Sequence, residues 1–262
     1  MEEKHTQPQG QLSQPEPKHF STSSMTTSRN LLLISNSTMY NQGYLDHCED
    51  EIKDILTGVT KVLFIPYARP SGISYEEYTK KARERFALMG IDLESIHHSG
   101  HKRVAVYNSK AIFAGGGNTF VLLDTLYEQN ILGMIRDVVN NGVPYIGTSA
   151  GANIAGLTIK TTNDMPIVHP KTLDALALVP FNINPHYIDK DPSSTHMGES
   201  RETRIREFLE FNDVKVLALR EGAMLRVNDD HAYLKGNSAR VFIEGKYPSE
   251  HQPGDSLDFL LS

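Results

Sequence analysis

Through the first half of the chain, apolar residues come in short unbroken runs, and each run ends on a turn signal. Leu31-Leu32-Leu33-Ile34-Ser35 closes on Asn36-Ser37, and Lys61-Val62-Leu63-Phe64-Ile65 closes on Pro66. Ala111-Ile112-Phe113-Ala114 runs into Gly115-Gly116-Gly117, and Pro144-Tyr145-Ile146 into Gly147. A short apolar run without alternation suits a strand covered on both faces. Between the runs the spacing turns helical: around Tyr44 to Leu56, then Tyr75 to Met89 with Tyr78, Ala82, Phe86 and Leu88 in near-helical register, then Phe120 to Val139 as one or two helices. Strands alternating with helices across short Gly-rich turns predict an α/β fold, a mostly parallel sheet flanked by helices.

Past residue 213 the pattern changes. Val214 to Leu219, Ala223 to Val227, Ala232 to Leu234 and Arg240 to Glu244 read as short strands split by turns such as Asn228-Asp229-Asp230 and Lys235-Gly236-Asn237. They predict a short antiparallel extension, a meander added to the sheet edge. Residues 1–29, rich in Gln, Pro, Ser and Thr, offer almost nothing to bury and read as a disordered tail. They lack the apolar core of a secretory signal and are poorer in Arg than an organelle transit peptide. Residues 30–262 are expected to form a single α/β domain.

Composition narrows the function classes. Of 262 residues, 39% are hydrophobic and 22% charged, ordinary for a globular chain, and the formal net charge of -6 comes without any long basic block. That argues against a nucleic-acid or anionic-membrane partner, and no apolar run is long enough to span a bilayer. The lone cysteine, Cys48, rules out an intramolecular disulfide and a four-thiolate zinc site and fits a cytoplasmic setting. His97-His98-Ser99-Gly100-His101 has a metal-like look. Adjacent histidines in a loop converge poorly, however, and no carboxylate completes the set, so neither metal nor cofactor is expected.

The chemistry concentrates at Gly147-Thr148-Ser149-Ala150-Gly151. A serine on a strand–turn–helix elbow is lifted off the sheet, and glycines on either side let the backbone crowd together. Ser149 is the candidate nucleophile, and the N–H of Ala150 the first candidate oxyanion donor. Gly115-Gly116-Gly117-Asn118-Thr119 also ends a strand and opens a helix, offering Gly117 or Gly116 as the second donor. Neither a P-loop lysine nor G-x-G-x-x-G spacing is present. His186 follows the apolar run Leu176 to Phe181, at a strand end where catalytic groups of open α/β sheets gather, and is the candidate base. Two acids compete to orient it: Asp164, in Thr161-Thr162-Asn163-Asp164-Met165-Pro166, and Glu221, in Leu219-Arg220-Glu221-Gly222. The residues alone do not choose between them.

Taken together, Leu32 to Thr38, Gly115 to Phe120, Gly147 to Asn153, Thr161 to Val168, Ile183 to His186, Arg204 to Glu207 and Glu221-Gly222 resemble peptidase E. These are α-aspartyl dipeptidases of a serine-type class that also includes the cyanophycinases. The resemblance covers about residues 31–245. It implies a fold similar to class I glutamine amidotransferases (flavodoxin-like), with serine where those enzymes carry cysteine. It also implies metal-independent cleavage of dipeptides that begin with an unblocked L-aspartate. On matching positions Ser149 is the nucleophile, His186 the base and Glu221 the favoured third member. Asp164 is kept as a site residue with Asn118, and Arg201 is the cation for the aspartate side chain, since arginine meets a carboxylate in bidentate geometry. The alternative for Arg201 is a solvated helix face carrying i,i+3 and i,i+4 ion pairs. Competing functions are a related hydrolase for cyanophycin-like β-linked peptides and a catalytically silent small-molecule binder. The expected partner is a small acidic dipeptide, with monomer or homodimer left open.

Overall fold

A computed structural model describes residues 28–262 apart from Pro70, Ser194 and His196. The predicted tail therefore lies outside the described residues, save that Ser28 already bridges to Asn141 and Arg29 leads into the first strand.

The four apolar runs are strands, as predicted: β1 (Asn30–Ile34), β2 (Lys61–Ile65), β4 (Ile112–Ala114) and β5 (Tyr145–Thr148). A further short strand, β3 (Asp92–Ser95), lies at the edge. The sheet order is β3-β2-β4-β5-β1, all parallel, continued by β8 (Met224–Asn228) and β9 (His231–Lys235), which run antiparallel. The pleat sends alternate residues to two cores. Leu31, Leu33, Leu63, Ile65 and Ile112 face one, and Leu32, Ile34, Val62, Phe64 and Phe113 the other.

Three helices cover the first face, α3 (Lys102–Tyr107), α4 (Thr119–Glu128) and α5 (Leu132–Asn140), inserting Val106, Leu122, Leu126 and Ile135. The second face is covered by α1 (Glu49–Ile55) and α2 (Tyr75–Leu88) through Ile52, Tyr78, Ala82 and Phe86. Ser74 starts α2 with a capping box, its hydroxyl accepting from the Glu77 N–H while Glu77 reaches back to the Ser74 N–H. Phe64 stacks on Phe113 and meets Tyr78 edge-on, each pair 5.1 Å between centroids. Each such ring removed from water contributes about 1.5–3 kcal/mol. Among the described residues no helix is long and apolar enough to cross a membrane.

The C-terminal strands do not form the single edge meander that their spacing predicts. β8 and β9 extend the main sheet, but β7 (Val216–Arg220) and β10 (Ala239–Phe242) leave it. They build a second sheet of order β11-β10-β7-β6 with β6 (Asn182–Tyr187) and β11 (Ser249–His251), in which β6 and β7 are parallel. The reason lies in the side chains. β7 is apolar on both faces, so Leu217 and Leu219 enter the first core while Val216 and Ala218 need another cover. α7 (Arg201–Leu209) supplies it with Ile205 and Leu209. The apolar run Leu176 to Phe181 is coil, turned by Ala177 at φ 50° and by Pro180, and the strand begins one residue later at Asn182.

Candidate active site

Ser149 stands between β5 and a single helical turn, α6 (Ala150–Asn153), with φ 53° and ψ -110°. A non-glycine residue held there costs about 1–3 kcal/mol and persists only where its surroundings enforce it. Here the Ser149 N–H donates to the Ile34 carbonyl at 2.9 Å, and the Ala152 and Asn153 N–H groups close on the Ser149 carbonyl. The flanking glycines are required by contact. A Cβ on Gly147 would lie 2.3 Å from the Gly151 carbonyl oxygen, and one on Gly151 would lie 2.2 Å from that of Ala114. α6 is only four residues long, so little macrodipole forms at the elbow and single N–H groups carry the local positive field.

His186 sits where β6 breaks its pairing with β7. The register shifts between Asn184 and Tyr187, and His186 adopts φ 54°. A bulge of this kind re-aims a side chain, and here it brings His186 Nε2 to 3.0 Å from Ser149 Oγ. The other ring nitrogen, Nδ1, lies 3.1 Å from Glu221 Oε1. Glu221 follows β7 and is fixed through its backbone: Asn237 donates to its carbonyl at 2.9 Å, and the next N–H, of Gly222, donates to buried Asn36 Oδ1 at 2.7 Å. Ser149, His186 and Glu221 thus form one hydrogen-bonded chain, drawn from both sheets.

Asp164, the rival acid, is engaged elsewhere. Its Oδ2 accepts from the Thr119 N–H (2.7 Å), the Thr119 hydroxyl (2.6 Å) and the Thr162 hydroxyl (3.2 Å), which sets it on the first residue of α4. The loop carrying it is strapped to β6, with Asn184 donating to the Thr161 carbonyl and to Asn163, and Asn163 donating to the Pro185 carbonyl. As a partner for His186, Asp164 is therefore corrected in favour of Glu221. Asn118 is likewise used internally: Oδ1 caps α4 by accepting the Val121 N–H, and Nδ2 donates to the Met165 carbonyl.

The two glycine donors separate in the same way. The Gly116 N–H donates to the buried Tyr78 hydroxyl at 2.9 Å and is corrected as an oxyanion candidate. Its α-carbon still borders the nucleophile, for a Cβ there would lie 3.0 Å from Ser149 Cβ. Gly117, at φ 144° with its Cβ position 2.0 Å from the Ala68 carbonyl oxygen, can be no other residue. Among the described residues neither the Gly117 nor the Ala150 N–H has a protein acceptor.

Arg201 is the first residue of α7 and lines a cleft with Ile188, Asp189 and Lys190, the segment just past His186. Arg204 pairs with Glu199 and Arg206 with Glu202, as a solvated helix face would have it, whereas Arg201 has no ion pair among the described residues. Burial and the charge of Arg204 push its pKa down, while the Asp164 carboxylate pulls it up. Behind the site, Arg220 forks onto Asp189 at 2.6 and 3.0 Å and also holds Glu250. The fork ties the strand leading to Glu221 to the segment leaving His186. Both carboxyls sit below their usual range because Arg220 hydrogen-bonds them.

Ser35, Asn36 and Tyr78 are the site residues that sequence reasoning missed. Polar residues at the end of an apolar run (Ser35, Asn36) and a tyrosine on the buried helix stripe (Tyr78) were the available signals, and neither names a partner.

Peptidase family S51 matches this chain over residues 31–235. The chain is 47% identical over 233 residues to Peptidase E of Streptomyces coelicolor, covering 88% of this chain and 95% of that protein. It is 43% identical over 241 residues to a Drosophila melanogaster protein named "Probable alpha-aspartyl dipeptidase", covering 90% and 99%. The crystal structure of a peptidase from an acI-B1 Actinobacterium aligns with a TM-score of 0.66 at 18% identity, over 88% of this chain and 98% of that one, a likeness of fold. With a matched region that spans Ser149, His186 and Glu221, the chain is a serine-type peptidase belonging to peptidase family S51.

Proposed function

We propose that the protein is a dipeptidase cleaving peptides that begin with an unblocked L-aspartate, through an acyl-enzyme on Ser149. The observation that carries this reading is the hydrogen-bonded chain Ser149–His186–Glu221, with steps of 3.0 and 3.1 Å, in a chain whose relatives bear the names Peptidase E and alpha-aspartyl dipeptidase. Ser149 Oγ attacks the aspartyl carbonyl as His186 Nε2 takes its proton. The carbonyl oxygen, now anionic, is met by the Ala150 and Gly117 N–H groups. His186 returns the proton to the leaving amine, and a water deprotonated by the same nitrogen releases aspartate. Glu221 keeps the Nδ1 proton in place and stabilises the imidazolium.

For specificity, Arg201 receives the aspartate side chain, and the unpaired ion supports this more than the paired Arg204 and Arg206 would. Asp164, whose Oδ2 is held by Thr119 and Thr162, has Oδ1 left to receive the substrate amine. A cytosolic setting fits the single cysteine, which is buried and unpaired.

Steady-state hydrolysis of Asp-Leu, Glu-Leu and β-Asp-Leu with chelator present tests the reading. Wild type cleaves Asp-Leu best, Ser149→Ala cleaves nothing, and Arg201→Ala loses roughly 10- to 100-fold on Asp-Leu, the worth of a charged hydrogen bond. Preference for β-Asp-Leu would move the substrate class to β-linked peptides, and activity in Ser149→Ala would overturn the mechanism.

A further inference from the structure

Glu76, His97 and His98 meet at the surface near the outer strand of the main sheet. Glu76 lies in the first turn of α2, and the two histidines follow β3 in a 3₁₀ turn, Ile96–His98. Successive side chains of a strand point to opposite faces, whereas those of a 3₁₀ turn stand about 120° apart. This turn sets the two imidazole centroids 4.0 Å apart. The missing carboxylate, the ground for discounting the histidine run in the sequence, comes from 21 residues upstream.

The donor atoms converge on one point. His98 Nε2 lies 2.6 Å and His97 Nε2 3.3 Å from the same atom, Oε2 of Glu76, and one ligand atom from each residue falls within 4.8 Å of the others. Tetrahedral metal–nitrogen and metal–oxygen bonds of about 2.0–2.2 Å place ligand atoms about 3.3–3.6 Å from one another. A small opening of the three side chains therefore makes room for an ion. His97 and His98 thus bring two imidazole nitrogens to one carboxylate oxygen, a donor set that a divalent cation uses.

His97 is also held as metal-bound histidines are held. Its Nδ1 is 2.5 Å from the hydroxyl of Ser95, a buried residue, and its ring packs 5.9 Å from Tyr75. A hydrogen bond on one ring nitrogen fixes the ring and presents the other to an ion. The His98 and Glu76 side chains are partly open to solvent, which leaves a side for water as the fourth ligand.

We propose that Glu76, His97 and His98 bind a divalent transition-metal ion such as zinc(II), which takes two imidazoles, a carboxylate and a water. The ion clips the start of α2 to the end of β3. None of the three residues touches Ser149, His186 or Glu221, so this site stands or falls independently of the peptidase reading.

The test is calorimetric titration of the full chain, stripped with chelator and dialysed, with zinc chloride, alongside thermal unfolding with and without zinc. One zinc binds per chain with micromolar or tighter affinity and raises the melting midpoint. Glu76→Gln and His98→Ala each weaken binding at least about tenfold and abolish the thermal shift. His186→Ala, which removes the imidazole paired with Glu221, leaves the affinity unchanged. Absence of saturable binding, or wild-type affinity in both Glu76→Gln and His98→Ala, would overturn the proposal. So would loss of binding in His186→Ala alone.

Discussion

Ser35 joins the two sheets at the point where the base is held, and its replacement by alanine separates positioning from chemistry. The Ser35 side chain is fully buried; it accepts the His186 N–H at 2.8 Å and donates to the Leu219 carbonyl at 2.9 Å. Ser35→Ala removes the side-chain partner of both backbone groups, the carbonyl buried and the N–H part-buried. Each such loss costs about 1–3 kcal/mol, so the sum is about 2–4 kcal/mol once some relaxation is allowed. A domain stable by about 5–15 kcal/mol survives that at moderate temperature.

The kinetic effect comes from geometry. His186 is held at φ 54°, a conformation costing about 1–3 kcal/mol that the Ser35 bond helps to enforce. Released, the backbone relaxes and draws Nε2 away from Ser149 Oγ. Displacement of a reacting group by about 1 Å costs on the order of 100-fold. The expected outcome is a kcat lowered roughly 10- to 100-fold, with KM nearly unchanged because Ser35 touches no substrate. Urea unfolding followed by circular dichroism measures the first quantity, and Asp-Leu turnover at a temperature where the variant stays folded measures the second. A variant destabilised as expected but with kcat within twofold of wild type would refute the positioning role and leave Ser35 a purely structural bridge.

Two further outcomes follow from the same geometry. Glu221→Gln, which keeps the size but removes the charge beside His186 Nδ1, lowers kcat by about 10²- to 10⁴-fold, while Asp164→Asn chiefly raises KM and loosens the start of α4; an equal collapse of kcat in Asp164→Asn would reverse the assignment. His47 has its pKa lowered by burial, against the pull of the Asn36 backbone and of Asp46 and Glu221. The unfolded chain therefore takes up this proton first on acidification, so the contribution to stability is complete above about pH 6.5 and lost as the pH falls through the folded value. Urea midpoints measured across that range should slope less in His47→Gln, and an unchanged slope would remove His47 as a source of acid sensitivity.

The parallel strands were legible because each is a closed apolar run, a local signal. β3 was not, since Asp-Leu-Glu-Ser buries only Leu93 and Ser95, too short an alternation to stand out. The division of the C-terminal strands between two sheets is a matter of long-range pairing, which no local periodicity encodes. The elbow announced Ser149 for a similar reason: its glycines and its serine are neighbours in sequence. Ser35 and Tyr78 act across 151 and 38 residues, through hydrogen bonds to backbone N–H groups, and any buried serine or tyrosine looks the same in the sequence. Asp164 and Glu221 were indistinguishable because both are acids in loops beside strands; what separates them is that one meets a helix N-terminus and the other a bulged strand.

The site is assembled across a joint. Ser149 rides on the main sheet, while His186 and Glu221 ride on the second, so the 3.0 Å between Oγ and Nε2 depends on how the sheets sit together. The end of β1 makes that joint with two adjacent residues: Ser35 holds the base and the strand beside it, and Asn36 holds the Gly222 N–H just past the acid. Ile34, the residue before them, accepts the N–H of the nucleophile. Three consecutive residues of one strand end thus set the backbone at Ser149, at His186 and beside Glu221. Two of the three elements so positioned, Ser149 and His186, are held in left-handed conformations that unsupported chains avoid. The strain is local, but the bonds that oppose it converge on one strand, so a shift of β1 moves the nucleophile, base and acid together rather than apart. That common anchorage keeps the distances between them short although the groups come from separate sheets.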